Sequence, residues 1–273
     1  MAEKRYLMTP GPTPVPPQVL AAMALPIVHH RSPDFKPTFK QCLDRLKEIY
    51  RTDEDVLLYT ASVTAGLESV VSNLTSPGDR VVVVSAGYFG ERWAEIAEAY
   101  GCDVDHLRYE WGETPTADDL AARLAELDGA SAVLVTQSET STGVVADVRA
   151  LAAVAKEAGA LVGVDAISSL GAIPCETDAW GLDSVVSGSQ KALMAPPGLS
   201  MVSVSAAAWE ARTSSTAPRY YLDWERTREA QEKLDAAFTP AVSIVIGLNV
   251  SLGMILERGL DAAFEEHVRL GRA

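Results

Sequence analysis

The sequence of 273 residues is poor in basic residues, in cysteine and in long apolar segments. Lys and Arg number 23 against 37 Asp and Glu, and the net charge of −14 argues against nucleic acid or an anionic membrane surface as a partner. No apolar run reaches the roughly 18 residues of a membrane span. Cysteine occurs three times, at scattered positions without CxxC or Cys/His spacing, so no metal site is predicted. Since MAEKRYLMTPGP also has no apolar signal core, we expect a cytoplasmic protein.

Short β-branched runs alternate with segments of helical periodicity over most of the chain. Strands without polar alternation indicate a sheet covered on both faces, so the pattern predicts a three-layer α/β/α sandwich with a mostly parallel sheet. The predicted strands are 80–86, 103–108, 131–137, 160–166, 183–189 and 199–205, and the predicted helices are 37–50, 89–101, 116–127 and 147–159. Residues 1–35 are Pro-rich and are expected to form an irregular arm, whereas 240–270 has a helical pattern.

Ligands of open α/β sheets bind at the carboxyl ends of the strands, so candidate site residues are expected in the loops that follow the strands. TASVTAGLES (60–69) offers hydroxyl groups and helix N-terminal amides that suit a phosphate, or else an ordinary helix cap. AGYFGERW (86–93) offers an aromatic ring that either stacks on a planar ligand or packs in the core. SETSTGV (138–144) offers hydroxyl donors that either bind a ligand or stabilise a turn.

Two charged residues follow apolar strands. Asp165 ends the run ALVGVD, where a carboxylate is costly without a partner. Lys191 lies in SGSQKALMAPPG, among small and apolar residues that disfavour its ammonium form. An exposed loop lysine is the ordinary interpretation, but the combination of phosphate cradle, ring, carboxylate and amine matches one cofactor, pyridoxal phosphate. The cradle suits its phosphate, the aromatic residue suits its flat ring, the carboxylate suits its pyridine nitrogen and the lysine amine suits its aldehyde.

The sequence resembles the class V aminotransferases of the fold-type-I pyridoxal-phosphate superfamily over essentially the whole chain. The resemblance rests on the segments above and on TPGPTPVP, HRSPDF, VDAISSLG and FTPAVS. The alanine–glyoxylate and serine–pyruvate aminotransferases are the most similar group. The resemblance implies that Lys191 forms the Schiff base and moves the proton, while Asp165 pairs with the pyridine nitrogen. It implies that the cofactor ring is contacted by Phe89, Ile167 and Thr140. It also implies that the phosphate is held by Ser62, Val63, Thr64 and Gln190, and that Gly11 lies near the substrate carboxylate. The family's active site lies at a homodimer interface, where the segment around Thr239 reaches the partner's phosphate.

Several positions depart from the family pattern. The cradle reads Ala61-Ser62-Val63-Thr64 where glycines are usual, so we expect Val63 to narrow it. Relatives continue into a small domain that carries the arginine for the substrate carboxylate. We therefore expect 36–240 to be the cofactor-binding large domain and 241–273 to be the connecting helix toward an absent small domain. Arg31 or Arg219 is considered as a replacement for that arginine.

The sequence thus predicts a transaminase that moves an amino group from alanine or serine to glyoxylate or pyruvate. A pyridoxamine–pyruvate type aminotransferase and a catalytically impaired, cofactor-binding fragment are the alternatives. A desulfurase would need a mobile cysteine near the substrate, whereas Cys42, Cys102 and Cys175 have the pattern of small buried residues. A nicotinamide-dependent dehydrogenase is disfavoured because no GxGxxG follows the first strand.

Overall fold

Seven strands form the central sheet of the protein, whose computed structural model describes residues 7–272. The strands are β1 Asp55–Tyr59, β2 Arg80–Ser85, β3 Asp103–Arg108, β4 Ala132–Thr136, β7 Leu161–Asp165, β8 Ser184–Gly188 and β9 Ser200–Val204. Their order is β1-β9-β8-β7-β4-β2-β3. β9 runs antiparallel to β1 and to β8, and the other adjacent pairs of this sheet are parallel. A short hairpin, β5 Ser138–Glu139 with β6 Val144–Val145, stands apart from this sheet. The predicted mostly parallel α/β fold is confirmed.

Helices cover both faces of the sheet. They are α1 Pro17–Met23, α2 Lys36–Tyr50, α3 Val63–Leu74, α4 Tyr88–Ala99, α5 Ala117–Glu126, α6 Val148–Glu157, α7 Ala206–Ser214, α8 Trp224–Gln231, α9 Val242–Arg258 and α10 Leu260–Gly271. Val82 and Val84 of β2 belong to the hydrophobic cluster that holds α2, α6 and α9 residues, whereas Val81 and Val83 belong to the cluster with α3, α4 and α8 residues. Since successive side chains of a strand alternate between faces, this explains why the strands are continuously apolar.

The two ends of the described chain differ from the sequence prediction. The arm expected to be irregular contains α1, because Pro17 occupies the first turn of a helix, where its missing N–H is not needed. The helical pattern after residue 240 forms two helices, since the chain turns by 85° between α9 and α10 at Gly259, whose φ is 87°. Within residues 7–272 no single helix is long and apolar enough to cross a membrane. α9 and α10 reach that length and apolar character only when they are taken together, and Val245, Leu248 and Leu252 of α9 are buried in the core.

The topology brings the loops of interest to one edge of the sheet. Asp165 ends β7 and is in register with Thr136 at the end of β4 and with Val186 of β8. Lys191 is the third residue of the loop that follows β8. α3 begins four residues after the end of β1, which runs in the same direction as β8. The carboxyl ends of these strands therefore lie together, where ligands of such sheets bind.

Candidate active site

A cavity of about 190 Å³ opens at the carboxyl ends of the parallel strands. It is lined by Val63, Phe89, Arg92, Ser138, Thr140, Asp165, Ile167, Ser168, Gln190 and Lys191. A larger groove of about 460 Å³ lies between α5 and α6, but its lining is mostly alanine and leucine, with acidic Asp128 and Glu157 and no cation. We therefore place the chemistry in the smaller cavity, where acid, amine, hydroxyl and aromatic groups converge.

Asp165 is the buried acid of this cavity. Its side chain is 3% exposed, and its Oδ1 accepts a hydrogen bond from the backbone N–H of Ile167 at 2.9 Å. Burial raises the pKa of Asp165 to about 7, and the charge of Glu139 adds to this effect, whereas Arg92 and Lys191 lower the pKa. A cationic group bound in the cavity would favour the ionised form of Asp165 further.

Lys191 supplies the amine, and the N-terminal segment packs against it. Burial lowers the pKa of Lys191 from its ordinary value, an effect that the charge of Asp165 opposes. Its Nζ donates a hydrogen bond to the Pro10 carbonyl at 3.3 Å, and Thr13 Oγ1 donates to the Lys191 carbonyl at 2.9 Å. A Cβ at Gly11 would lie 2.6 Å from Lys191 Cδ, so a larger residue at this position would displace the end of the lysine side chain. Gly11, expected near the substrate carboxylate, thus lies against the lysine chain.

Phe89, Ile167 and Thr140 line the cavity from one helix and two loops. Phe89 is the second residue of α4, and Ile167 lies two residues beyond β7 and is 7% exposed. Thr140 follows the strand β5, and its Oγ1 lies 2.8 Å from Ser168 Oγ. These residues combine two apolar surfaces with hydroxyl groups, as a flat and partly polar ligand requires.

The predicted phosphate cradle forms the start of α3. Ser62 is the N-cap, yet its side chain makes no capping hydrogen bond. Val63 is the first helical residue rather than a positive-φ position, and its Cγ1 occupies the space that a Cβ at Gly188 would fill, at 2.1 Å. Val63 thus occupies an ordinary helical backbone position, and the expectation that it narrows the cradle stays a prediction. Gln190 Oε1 is buried without a hydrogen-bond partner in the described part of the chain. This oxygen can only accept a hydrogen bond, so Gln190 would contact a phosphate through the Nε2–H₂ group of the same amide.

Arg92, Ser138 and Ser168 line the cavity although the sequence analysis did not select them. The Arg92 guanidinium carbon lies 5.0 Å from the centroid of the Phe89 ring. Within residues 7–272 this guanidinium has neither an ion pair nor a hydrogen bond. The signal that would have found it is the spacing of three residues from Phe89, which puts both side chains on one face of a helix.

The other sequence candidates lie outside the cavity. Arg31 pairs with Asp235 at 3.0 Å, and the Arg219 guanidinium donates to four backbone carbonyls, so neither replaces a substrate-binding arginine. Thr239 is exposed, and Ser62 and Thr64 flank the start of α3 without lining the cavity. None of the three cysteines lines it either, and burial raises the pKa of both the Cys42 and the Cys175 thiol to about 12.

The sequence profile of the family described as Aminotransferase class-V matches residues 5–272. The chain belongs to the class-V aminotransferases. It is 33% identical to the serine–glyoxylate aminotransferase of Methylorubrum extorquens, over 99% of this chain and 70% of that protein. It is 44% identical to a protein of Anabaena cylindrica named soluble hydrogenase 42 kDa subunit, over 98% of this chain and 71% of that one. The solved structure of a subgroup IV aspartate aminotransferase from Thermus thermophilus superposes with a TM-score of 0.89 at 40% identity, covering 96% of this chain and 73% of that one.

Class-V aminotransferases use pyridoxal phosphate, and the cavity of this one fits the cofactor. Asp165 is a buried acid that, within residues 7–272, accepts a hydrogen bond from the backbone N–H of Ile167 alone, so it can also accept one from a protonated ring nitrogen. Gln190 offers an unpartnered buried amide, and Lys191 offers an amine whose pKa is lowered. The chain is a pyridoxal-phosphate-dependent aminotransferase, with a fold-type-I α/β architecture.

Proposed function

We propose that this aminotransferase moves the amino group of a small amino acid, alanine or serine, to a 2-oxo acid, glyoxylate or pyruvate. The observation that carries the proposal is the convergence of Lys191 and Asp165 in one cavity with Phe89, Ile167 and Thr140. The names of the Methylorubrum and Thermus relatives support an amino acid as donor, and the first of them names glyoxylate.

Bound pyridoxal phosphate supplies a ring that withdraws electrons from the substrate α-carbon. Lys191 is the proposed Schiff-base lysine, and its Nζ accepts the α-proton because burial favours the uncharged amine. Asp165 holds the ring nitrogen in its cationic form. Phe89 and Ile167 cover the ring, and Thr140 donates to its hydroxyl group. The start of α3, with Ser62, Val63 and Thr64, and the amide of Gln190 hold the phosphate.

The direct test compares Lys191→Ala with Lys233→Ala. Lys233 is exposed, so the second variant controls for loss of a lysine in general. With added pyridoxal phosphate, the wild type and Lys233→Ala are expected to show a visible absorbance band that bleaches on addition of alanine or serine and returns with glyoxylate or pyruvate. Lys191→Ala should lose the band and the exchange. A colourless wild-type protein that takes up no cofactor would contradict the proposal.

We further propose that two copies of the chain form a homodimer that completes each site. Thr239 is exposed and does not line the cavity of its own chain, as expected if it serves the partner. Beside it, Phe238 stacks on Tyr221 at 4.9 Å, and Tyr220 is 65% exposed, which leaves aromatic surface for a second chain.

A mixed dimer tests this arrangement. Lys191→Ala and Thr239→Ala should each be impaired alone. Their mixture should regain activity, because one of its two sites then has both side chains intact. No recovery on mixing, or a monomer in light scattering, would contradict the dimer proposal.

We also infer a reducing, cytoplasmic setting for the enzyme. The free thiols of Cys42, Cys102 and Cys175 support it, because cysteines persist unpaired where thiols are kept reduced.

A further inference from the structure

Glu139 is a buried carboxylate beside the cavity for which the proposed mechanism has no use. It ends β5 and is 2% exposed. Its Oε2 accepts hydrogen bonds from the backbone N–H of Phe89 at 2.9 Å and of Gly90 at 3.0 Å. Its Oε1 accepts from the backbone N–H of Ser141 at 3.0 Å and from Ser141 Oγ at 2.6 Å. Both oxygens are thus fully occupied by four donors from two separate segments.

These bonds replace the missing cap of α4. The first amides of a helix have no partner within the helix, and the residue before α4 is Gly87, which has no side chain to supply one. Glu139 fills this position from about 50 residues away in the sequence, and its negative charge also suits the positive end of the helix. A Cβ at Gly87 would lie 2.6 Å from Glu139 Cγ, so the glycine makes room for the carboxylate.

The two segments that Glu139 joins carry two cofactor contacts. Phe89, whose amide it binds, provides the ring at the cavity, and Thr140 is the residue next to Glu139 in the chain. Ser141 extends the connection, because its Oγ accepts a hydrogen bond from the N–H of Tyr88 at 3.0 Å. The carboxylate of Glu139 therefore connects the segment that carries the aromatic ring to the segment that carries the hydroxyl group, together with the bond from Tyr88 to Ser141.

We propose that Glu139 is a positioning residue that holds the Phe89 ring and Thr140 at the separation that the cofactor ring requires. The inference rests on the proposed function, because it takes the cavity to hold pyridoxal phosphate. Glu139 does not touch the reacting atoms; it acts through Phe89 and Thr140. Its charge also acts on Asp165, beside Arg92 and Lys191, so the test must separate geometry from charge.

Three variants make this separation. Glu139→Gln keeps the length but presents an amide NH₂ to N–H donors, and Glu139→Asp keeps the charge but is too short by one methylene to reach both segments. Glu95→Gln is the matched control, because Glu95 is an exposed carboxylate on the same helix α4. For both Glu139 variants we expect pyridoxal phosphate to bind about tenfold more weakly, as for a lost buried charge-assisted contact. We also expect weaker visible circular dichroism of the bound cofactor, and no change for Glu95→Gln.

Amide hydrogen exchange provides a readout that needs no cofactor. In the cofactor-free protein, the N–H groups of Phe89 and Gly90 should exchange faster in both Glu139 variants than in the wild type and in Glu95→Gln. If Glu139→Gln does not fold, Ser141→Ala takes its place, with faster exchange expected at Tyr88 and the same loss of dichroism. Wild-type binding and dichroism in Glu139→Asp would overturn the proposal, since charge without reach would then suffice, and so would unchanged exchange in all variants. A wild type that binds no pyridoxal phosphate contradicts the proposed function instead.

Discussion

The buried carboxyl of Asp165 makes the stability of the cofactor-free protein depend on pH. Its pKa is raised to about 7 in the folded chain, mainly by burial, from 3.8 when exposed. The folded protein therefore binds this proton more tightly than the unfolded chain does. The resulting stabilisation is present in full below about pH 4 and is lost as the pH rises through about 7. Between about pH 5 and about pH 8, linkage gives a loss of about 2.5 kcal/mol from this one group.

Asp165→Asn isolates this contribution, because an amide oxygen still accepts the hydrogen bond from the Ile167 N–H but carries no titrating proton. Free energies of unfolding would be measured by urea denaturation of the cofactor-free wild type and variant at about pH 5 and about pH 8. All other groups titrate in both proteins. The change in unfolding free energy between the two pH values, compared between wild type and variant, therefore reports the titration of Asp165. We expect the wild type to lose about 2.5 kcal/mol more than the variant. Parallel pH profiles would refute the reasoning, because Asp165 would then have the same pKa folded and unfolded.

Two further substitutions probe the walls of the cavity. Arg92→Gln removes a cation that lowers the pKa of Asp165, so the fall in stability should move to higher pH and pyridoxal phosphate should bind more weakly in a spectroscopic titration. Gly188→Ala should destabilise the protein by about 1–3 kcal/mol in urea denaturation, because the new Cβ would lie 2.1 Å from Val63 Cγ1. Val63→Ala should restore much of that loss, whereas Gly271→Ala, with no atom within 4 Å of the added Cβ, should cost little.

The parallel strands were predictable because their burial on both faces leaves a local mark in the sequence. RVVVVS is apolar from Val81 to Val84, since both of its faces pack on helices, and the predicted strand matches β2 within one residue. β1, α7 and α8 escaped the sequence analysis. β1 contains a single β-branched residue, Val56, and so lacks the β-branched run that marks β2, β4 and β8. α8 has only two buried residues in a charged segment and therefore has no clear apolar period.

The site was partly predictable for a different reason. Asp165, Lys191 and Phe89 follow strands, and parallel strands bring their carboxyl ends to one edge whatever the details of packing. Glu139 was missed because its contacts with Phe89 and Gly90 join residues about 50 positions apart in the chain, which no local pattern encodes. The helical spacing of Arg92 from Phe89 places both side chains on one face of α4, but only the folded sheet shows that this face lies beside Asp165.

The net charge of −14 does not conflict with an anionic cofactor, because the charge that matters is that of the cavity. Exposed charges are screened beyond about 10 Å at moderate salt, whereas groups lining a half-enclosed site act at a few ångströms. Arg92 lines the cavity together with the carboxylate of Asp165, whose raised pKa leaves it only partly ionised near neutral pH, and the carboxylate of Glu139 lies beside this lining, held by hydrogen bonds from four donors. The cavity therefore offers the guanidinium of Arg92 to an anionic group although the chain as a whole is acidic. Since Arg31 and Arg219 are bound to other partners, this local charge depends on Arg92 to a degree that composition alone does not reveal.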